Sequence, residues 1–368
     1  MTPREELAAL LSEEVGDRAG GWDLAGAIPL ETLRRLGTEG VLCAEVPAEF
    51  GGRGLSGLDN GELTAHAGTL CSSLRSVMTS QGMAAWTIQR FGTREQRAKE
   101  LAALTRGDLA AVAFSEPQAG SDLSAIATTV VDDGDSVVLN GHKVWSTASA
   151  YADVLVVFGR YQDGAAAVLV PTRAPGVTVR PVPQPLGCRA AGHADVLLDD
   201  VRLPATRVLS GASVSLGLLT TIALTYGRLS VAWGCVGIIR ACLTAAATHA
   251  RAREQFGKPL AEHQLVARHL AEMYVAEQTA TRLCEHASGC WDSRSAELSG
   301  ASVLAKHAAA GHAAHAASAA VQILASAGSV DGGTVARAYR DAKLMQIIEG
   351  SEEICQLILA ERALERVT

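Results

Sequence analysis

The 368-residue sequence has few aromatic residues (4%) and no excess of positive charge. Its 32 basic residues are outnumbered by 39 acidic ones, and the net charge is −7. The basic residues are scattered, without the basic stripe of a nucleic-acid-binding protein or the polybasic patch of a membrane-binding one. We therefore expect small soluble ligands or protein partners, and no nucleic acid.

Zinc-binding and disulfide patterns are also missing. The eight cysteines form no C-x-x-C pair and no Cys/His ligand spacing, so they are expected to be small buried hydrophobes in a reducing compartment, with no metal site. Residues 1–22 carry acids at helical spacing and lack a signal-peptide pattern. The longest apolar run, Leu229–Ala250, contains Arg240, which favours a buried helix over a membrane span. A cytoplasmic protein without a membrane segment is expected.

Hydrophobic periodicity divides the chain into three zones, which we assign as domains at residues 1–107, 108–212 and 213–368. In the first zone apolar residues recur at helical spacing, with glycine-rich joints between the segments. The helices predicted there are Glu5–Val15, Leu30–Leu36, Gly61–Cys71, Met83–Phe91 and Glu95–Leu104. This zone is expected to be a helical domain.

Short valine-rich runs predict strands in the second zone. They are Ser136–Leu139, Val144–Trp145, Asp153–Phe158, Ala165–Val170, Val177–Val182 and Asp195–Val201. The dipeptides Asp133-Gly134 and Asn140-Gly141 predict tight hairpins and hence antiparallel pairing. In the third zone, Ala- and Leu-rich repeats predict four helices, with breaks near residues 256–259, 325–333 and 349–350. The expected fold is mainly α, with a central antiparallel β-barrel or sandwich and a C-terminal four-helix bundle.

No G-x-G-x-x-G follows a strand, so a dinucleotide-binding Rossmann unit is not indicated. Instead the stretch Ala113–Asp122 (AFSEPQAGSD) is dense in turn formers and short polar side chains. Such a loop can present amides and hydroxyls to a ligand, or it can be a simple capped turn. The segment Gly141–Ala150 (GHKVWSTASA) follows it with an indole and further hydroxyls.

Several motifs resemble, in order and at similar spacing, those of the acyl-CoA dehydrogenase flavoprotein family, and the resemblance covers nearly the whole chain. The motifs lie at Ile28-Pro29, Gly40-Val41, Pro47–Gly54, Phe91–Gln96, Ser115–Asp122, Asn140–Thr147, Arg251–Gln264, Arg340–Lys343 and Glu349–Ser351. The family's fold is the three-domain arrangement expected above. Its cofactor is FAD.

The resemblance also assigns residues to the flavin ring, which needs hydrogen-bond donors along its polar edge and an apolar or aromatic wall. It implies that Ser115 bonds the pyrimidine edge, Ser121 approaches the pyrophosphate, Trp145 walls the ring and Thr147 donates to N5. From the residues alone, Trp145 can equally be a sandwich core residue and Thr147 a cross-strand partner.

The far end of FAD is implied to be bound across a subunit boundary, which makes a homodimer or tetramer part of the cofactor site. The matching residues are Arg253, Gln255, Phe256 and Gln322. Taken alone, an arginine such as Arg253 is more often a solvated residue at a helix end. The family has Gly-Gly shortly after the residue that matches Gln322. In this sequence that pair is Ala325-Ser326.

Glu349 matches the family's catalytic base, which takes the α-proton of an acyl thioester while flavin N5 accepts the β-hydride. We expect Glu349 at the C-terminal end of one helical segment, where a carboxylate is disfavoured, and Ser351 as the cap of the next and a cofactor contact. A solvated glutamate is the alternative account. Some members carry the base at the position just before the one that matches Arg228, and here that position is Gly227. Arg228 itself is a candidate substrate contact.

The loop of residues 187–193 (GCRAAGH) corresponds to one that commonly has Ser and Thr near the CoA phosphates. Here Ala191 and His193 take those places, which predicts weaker binding of CoA. The resemblance is nearest to the branch that acts on acyl groups tethered to acyl carrier protein, namely the dehydrogenases of methoxymalonyl extender-unit formation in polyketide pathways. Arg189 is a candidate contact for the carrier protein.

Three alternatives stay open at this point. The first is an acyl-CoA dehydrogenase of catabolism, for which an electron-accepting flavoprotein is a candidate partner. The second is a flavin-dependent monooxygenase on the same fold, although such members usually lack the base that Glu349 supplies. The third is a non-catalytic helical protein that keeps the scaffold and takes up no FAD.

Overall fold

The first part of the chain consists of six helices in the computed structural model, which describes residues 1–209, 211 and 213–365. These are α1 (Pro3–Val15), α2 (Ala19–Ala25), α3 (Leu30–Thr38), α4 (Gly57–Leu70), α5 (Ser72–Phe91) and α6 (Arg94–Leu104). Capping boxes begin α1 and α6, because Thr2 and Thr93 each precede Glu or Gln by three residues. Apolar periodicity does not predict α2, which is seven residues long and contains Gly20-Gly21.

Helix α5 connects the helical part to the sheet. It is buried over nearly its whole length, including its polar residues. Gln81 accepts a hydrogen bond from the Ala110 amide (2.6 Å), and Ser80 accepts one from the Val112 amide (3.3 Å). These side chains satisfy backbone donors of the first strand, which would otherwise be buried without partners. The polar residues of α5 therefore dock the helix on the sheet.

Seven strands form the sheet, in the order β1-β4-β2-β3-β7-β6, with β5 paired to β4. They are β1 (Ala110–Ala113), β2 (Thr129–Asp133), β3 (Ser136–Ser146), β4 (Val154–Tyr161), β5 (Gly164–Pro171), β6 (Val177–Pro181) and β7 (Ala194–Pro204). Four of the pairings are antiparallel, as predicted, but β4 runs parallel to both β1 and β2. The valine-rich pattern misses β1 and β2, which are only four and five residues long.

The two predicted hairpin dipeptides behave differently. Gly134, with φ 63°, lies in the turn between β2 and β3, as predicted. The prediction at Asn140-Gly141 is wrong, since this dipeptide lies within β3, where the register against β7 shifts. Asn140 exchanges hydrogen bonds with Asp200 on β7 (2.8 and 2.9 Å), which accommodates a bulge in place of a turn.

The last part of the chain has five helices among the described residues, where the periodicity predicted four. They are α7 (Leu216–Ala252), α8 (Gln264–Asp292), α9 (Leu298–Leu324), α10 (Thr334–Met345) and α11 (Glu352–Glu365). The additional break at residues 293–297 is a short polar segment that periodicity does not reveal. Helix α7 is long and apolar enough to cross a membrane, but 78% of its most apolar window is buried within the protein, as in a core helix.

Candidate active site

Glu349 lies in the turn between α10 and α11. It was expected at the end of a helix, but α10 ends at Met345, so the unfavourable helix dipole does not apply. Glu349 has φ 55° and Gly350 has φ 94°. A left-handed backbone at a non-glycine residue is strained, and such residues cluster at functional sites. The predicted cap is confirmed, since Ser351 accepts a hydrogen bond from the Ile354 amide (3.5 Å).

The Glu349 side chain points into the protein interior. Its Oε2 is buried and has no hydrogen-bond partner among the described residues. Burial raises the pKa of Glu349 to about 7, although the charges of Arg228, Lys306 and Arg75 oppose the shift. A buried carboxyl that ionises near neutral pH and has a free oxygen is suited to act as a general base. The alternative of a solvated glutamate is wrong.

Gly227 on α7 faces this carboxyl group. A Cβ at residue 227 would lie 2.4 Å from Glu349 Oε2 and 2.9 Å from Met83 Sδ. Any side chain at 227 therefore collides with the carboxyl group in its present position. The two positions at which the family carries its base match Gly227 and Glu349 here. Because side chains at both positions would occupy the same space, glutamate at 349 requires glycine at 227.

Two buried cations hold the turn that carries Glu349. Arg228 donates from Nε to the Glu349 backbone carbonyl (3.1 Å), and Lys306 donates to the Gly350 carbonyl (2.6 Å). Both side chains are buried. We predicted Arg228 as a substrate contact, but the structure places it against the backbone of the turn. There it positions Glu349.

A third cation, Arg75, is fully buried on α5. Sequence reasoning missed both Arg75 and Lys306, because a single cation in a helix is usually solvated. A weak signal was available for Arg75. Gly234 on α7 makes room for it, since a Cβ there would lie 2.6 Å from Arg75 Cδ.

The turn-rich stretch Ala113–Asp122 is anchored by a buried ion pair. Lys143 on β3 donates to Glu116 Oε1 (2.6 Å) and to the Phe114 carbonyl (3.0 Å). Thr128 and the Ala127 amide also donate to Glu116. Burial alone would raise the pKa of Glu116, but these hydrogen bonds outweigh it and lower the pKa to about 2. An ionised Glu116 therefore joins this stretch to β3.

The anchored stretch and β3 present the predicted flavin residues. Ser115 is half-buried and Ser121 is exposed. Trp145 is 55% exposed with φ 55°, so its interpretation as a sandwich core residue is wrong. Thr147 is half-buried, and its Oγ1 lies 3.2 Å from His193 Nδ1. A Cβ on Gly120 would meet no atom within 4 Å, so a phosphate can approach the backbone there.

This donor set fits FAD. Hydroxyl groups and a solvent-facing indole lie on neighbouring segments. The residues that would hold the flavin end are Ser115, Ser121, Trp145 and Thr147. Their assignments remain predictions.

Of the residues predicted for the far end of FAD, Gln255 and Phe256 lie in a small hairpin, β8 (Glu254–Gln255) and β9 (Lys258–Pro259), which Arg253 precedes, and Gln322 lies on α9. Phe256 and Gly257 form the hairpin turn with φ 53° and 77°, and Phe256 is 96% exposed. Arg253, Gln255 and Gln322 are also exposed. Arg253 is 26 residues beyond Gly227 on α7, about 39 Å along the helix at 1.5 Å per residue. Arg253 therefore lies far along α7 from the position that contacts Glu349.

The loop of residues 187–193 is buried or half-buried throughout. Ala191 is fully buried, and its carbonyl accepts from the Ala148 amide (3.0 Å). Asp341 on α10 fixes the loop by accepting from the Cys188 amide (2.5 Å). His193 is half-buried, and its Nε2 is buried. The weaker binding of CoA expected from Ala191 and His193 stays a prediction.

Arg189 and Arg340 belong to a charge network that joins this loop to α2 and α10. Arg189 pairs with Asp331 (3.1 Å), and Arg340 pairs with Asp23 (2.6 Å). Arg189 also lies 3.7 Å from Asp23. Both carboxylates are thus shared by the two arginines. The predicted role of Arg189 as a free carrier contact would require these pairs to break.

The substitution at residue 325 has a conformational consequence. Ala325 ends α9 with φ 50° and ψ −127°, a backbone conformation that favours glycine. The corresponding end of α1 has Gly16 at φ 42° and ψ −128°. The glycine of the family pattern is therefore still required by the backbone, and the alanine is strained.

One group of metal-binding residue types occurs in the described part of the chain. His286, Cys290 and Glu297 have ligand atoms within 4.8 Å of one another. The i, i+4 spacing of His286 and Cys290 on α8 was missed. Their closest atoms already contact each other at 3.8 Å, and no second observation points to an ion.

Comparison with known proteins identifies the class. The family models for the N-terminal, middle and C-terminal domains of acyl-CoA dehydrogenase match residues 2–108, 111–201 and 218–364. A probable acyl-CoA dehydrogenase, YngJ of Bacillus subtilis (strain 168), is 32% identical over 370 residues, which is 98% of this chain and 97% of the relative. The chain belongs to the acyl-CoA dehydrogenase family.

Two solved structures are similar over nearly the whole chain. FkbI, for biosynthesis of the methoxymalonyl extender unit of the Fk520 polyketide immunosuppressant, is 61% identical with a TM-score of 0.94, covering 97% of this chain and 99% of FkbI. A glutaryl-CoA dehydrogenase from Mycobacterium smegmatis in complex with FADH2 is 26% identical with a TM-score of 0.93, covering 99% and 95%. The protein is an FAD-dependent oxidoreductase with the three-domain fold of this family.

The contact between Gly227 and Glu349 can be tested by a pair of glycine substitutions on the same helix. Gly227→Ala should displace the carboxyl group and slow flavin reduction by substrate at least about 10-fold, since a misplacement of about 1 Å can cost 100-fold. The control is Gly217→Ala, where the added Cβ meets no atom within 4 Å. Stopped-flow reduction rates that are equal in the two variants would contradict the steric argument.

Proposed function

We propose that this protein dehydrogenates a short acyl group, a small hydroxyacyl unit, carried as a thioester on acyl carrier protein during polyketide extender-unit biosynthesis. The observation that carries the proposal is the 61% identity to FkbI over nearly the full length of both chains. The buried Glu349 supports the reaction type, because removal of a proton next to a thioester carbonyl needs a positioned base.

Glu349 would take the α-proton with its free Oε2. Arg228 and Lys306 fix its backbone, so that the carboxyl group does not have to be ordered at the moment of reaction. Removal of the proton leaves negative charge on the thioester, and the buried cations around the site favour that charge. Bound FAD would supply the hydride acceptor at flavin N5.

The remaining assignments rest on separate observations. A cytoplasmic location is proposed because all eight cysteines are buried and unpaired, as in a reducing compartment. An electron-accepting flavoprotein is proposed as the partner that reoxidises the protein. Its support is the resemblance to dehydrogenases of this family, so it depends on the dehydrogenase reaction.

The carrier preference can be measured with one acyl group on two carriers. A hydroxypropionyl group on acyl carrier protein should bleach the flavin anaerobically with a kcat/KM at least about 10-fold above that of the same group on CoA, since a protein surface adds complementary contacts. Equal values would remove the carrier assignment and leave an acyl-CoA dehydrogenase. A flavin that no acyl thioester bleaches would contradict dehydrogenation itself.

We further propose that the FAD site is shared between two copies of the chain. The supports are the separation of about 39 Å along α7 and the exposure of Arg253 and Phe256. An aromatic side chain held at a strained, almost fully exposed hairpin tip is unfavourable in an isolated chain. Contact with the FAD of a second subunit would bury it.

Arg253→Ala should weaken FAD binding roughly 10-fold to 100-fold, as expected when a charge-assisted hydrogen bond is lost, and should weaken the dimer with it. FAD content and mass are measured together by light scattering and absorbance. The control is Arg202→Ala, an exposed arginine on β7 that pairs with Asp133. A monomeric wild-type protein with full FAD content would contradict the shared site.

A further inference from the structure

A group of exposed arginines lies at the junction of α5 and α6. Residues 90–99 include four basic residues and one acidic residue, in a chain whose net charge is −7. Arg90 is in the last turn of α5, and Arg94 and Arg97 are among the first four residues of α6. All three are exposed. We call these three residues the arginine elbow.

Folding stability does not account for this concentration of charge. Among the described residues, no carboxylate lies within 4.0 Å of the elbow's guanidinium nitrogens, whereas Lys99 and Arg207 both pair with Glu100 (3.9 and 3.1 Å). Arg94 and Arg97 are neighbours on the surface of one helix, where like charges repel. They also lie at its N-terminal end, where the helix dipole disfavours a cation. An anionic partner would offset both effects.

Two of the three arginines are held in place by contacts within the junction. The guanidinium carbon of Arg90 lies 5.5 Å from the centre of the Trp86 ring, in a cation–π arrangement. Arg97 donates from Nε to the Gly92 carbonyl (2.9 Å). A side chain that is already held loses less conformational entropy when a partner binds it. The elbow is therefore a prepared surface for a negatively charged partner.

The junction also contacts the helix that faces the catalytic carboxyl group. Trp86, which carries Arg90 on its ring, donates from Nε1 to the Ile222 carbonyl on α7 (3.2 Å). Ile222 is five residues before Gly227, about 7.5 Å along the helix. Gly227 in turn faces Glu349.

Helix α5 gives a similar separation. A Cβ at residue 227 would lie 2.9 Å from Met83 Sδ, so Met83 flanks the same point as the catalytic carboxyl group. Arg90 is seven residues beyond Met83, about 10.5 Å along α5. Helix α7 also reaches the surface nearby, since Leu218, one turn before Ile222, is 49% exposed. The arginine elbow is thus one to two helical turns from the base along both helices.

We propose that the arginine elbow is the surface on which the acyl carrier protein docks. The inference rests on the proposed function, in which the acyl group arrives on a carrier protein. Acyl carrier proteins are acidic around the serine that bears the phosphopantetheine arm, so the elbow supplies complementary charge. The flexible arm of a carrier docked there spans the short distance to Glu349. Arg189, the candidate from sequence, is paired with Asp331, whereas the elbow has no pair to break.

The test reverses two charges of the elbow in the holoenzyme. Arg90→Glu/Arg94→Glu is compared with Arg18→Glu/Arg202→Glu, which reverses two exposed arginines on other elements. Anaerobic flavin reduction is measured with a 3-hydroxypropionyl group on acyl carrier protein and on CoA, at low and at physiological ionic strength. At low ionic strength the elbow variant should lose about 10-fold or more in kcat/KM for the carrier thioester, because electrostatic steering is lost. Its value for the CoA thioester should be unchanged.

The salt dependence gives a second readout. Added salt should lower the carrier kcat/KM of the wild-type protein and of the control variant, and should have less effect on the elbow variant. FAD content and thermal unfolding establish that each variant is folded. If the double variant does not fold, Arg94→Glu alone decides, because an acidic residue in the first turn of α6 suits the helix dipole.

Three results would overturn the docking surface. The first is a carrier kcat/KM that is equal in the elbow variant and the wild-type protein. The second is an equal loss with the carrier and CoA thioesters, which would assign the arginines to a phosphate of CoA. The third is an equal loss in the control variant, which would show an effect of net charge alone.

The docking surface and the proposed function fail separately. A carrier preference that survives in the elbow variant contradicts the surface and leaves the proposed function in place. A wild-type protein without a carrier preference contradicts the carrier assignment. Titration with holo acyl carrier protein, whose arm bears no acyl group, then decides the surface, because the wild-type protein should bind it more tightly than the elbow variant does. Equal binding would overturn the surface.

Discussion

The approach of the Glu349 carboxyl group to Gly227 is the constraint on which the rest of the site depends. A Cβ at residue 227 would lie 2.4 Å from Oε2, so the carboxyl group keeps its place only while α7 has no side chain there. Arg228 and Lys306 fix the turn from behind, in a backbone conformation that a free glutamate would avoid. The result is a positioned carboxyl group with a buried, unpartnered Oε2.

The same interior explains why α5 is polar and yet buried. Ser80 and Gln81 serve the sheet, whereas Arg75 and Thr79 face α7, where Thr79 and Ser230 are hydrogen-bonded at 2.7 Å. Such groups are tolerated only when each finds a partner. Five side-chain atoms of the described residues remain buried without a partner, and Glu349 Oε2 is one of them.

The local elements with strong periodicity or caps could be predicted from sequence, as could the turn at Glu349-Gly350-Ser351. The bulge at Asn140-Gly141 could not be predicted. Hydrogen bonds between Asn140 and Asp200, on a strand distant in sequence, decide between a turn and a bulge there. The position of the loop of residues 187–193 also depends on a remote contact, in which Asp341 accepts a hydrogen bond from the Cys188 amide. Sequence motifs identify the family here, and tertiary contacts determine which polar groups face the substrate.

The central claim is that Glu349 is a buried base with a pKa near 7, and the pH dependence of anaerobic flavin reduction tests it most directly. Because the ionised form accepts the proton, the wild-type rate should rise about 10-fold per pH unit below pH 7 and level off above it. Glu349→Gln should lose this dependence and about two to four orders of magnitude in rate, while Glu353→Gln, an exposed neighbour, should keep both. An inflection near the ordinary carboxyl pKa of 4.5, or an unchanged rate in Glu349→Gln, would contradict the account.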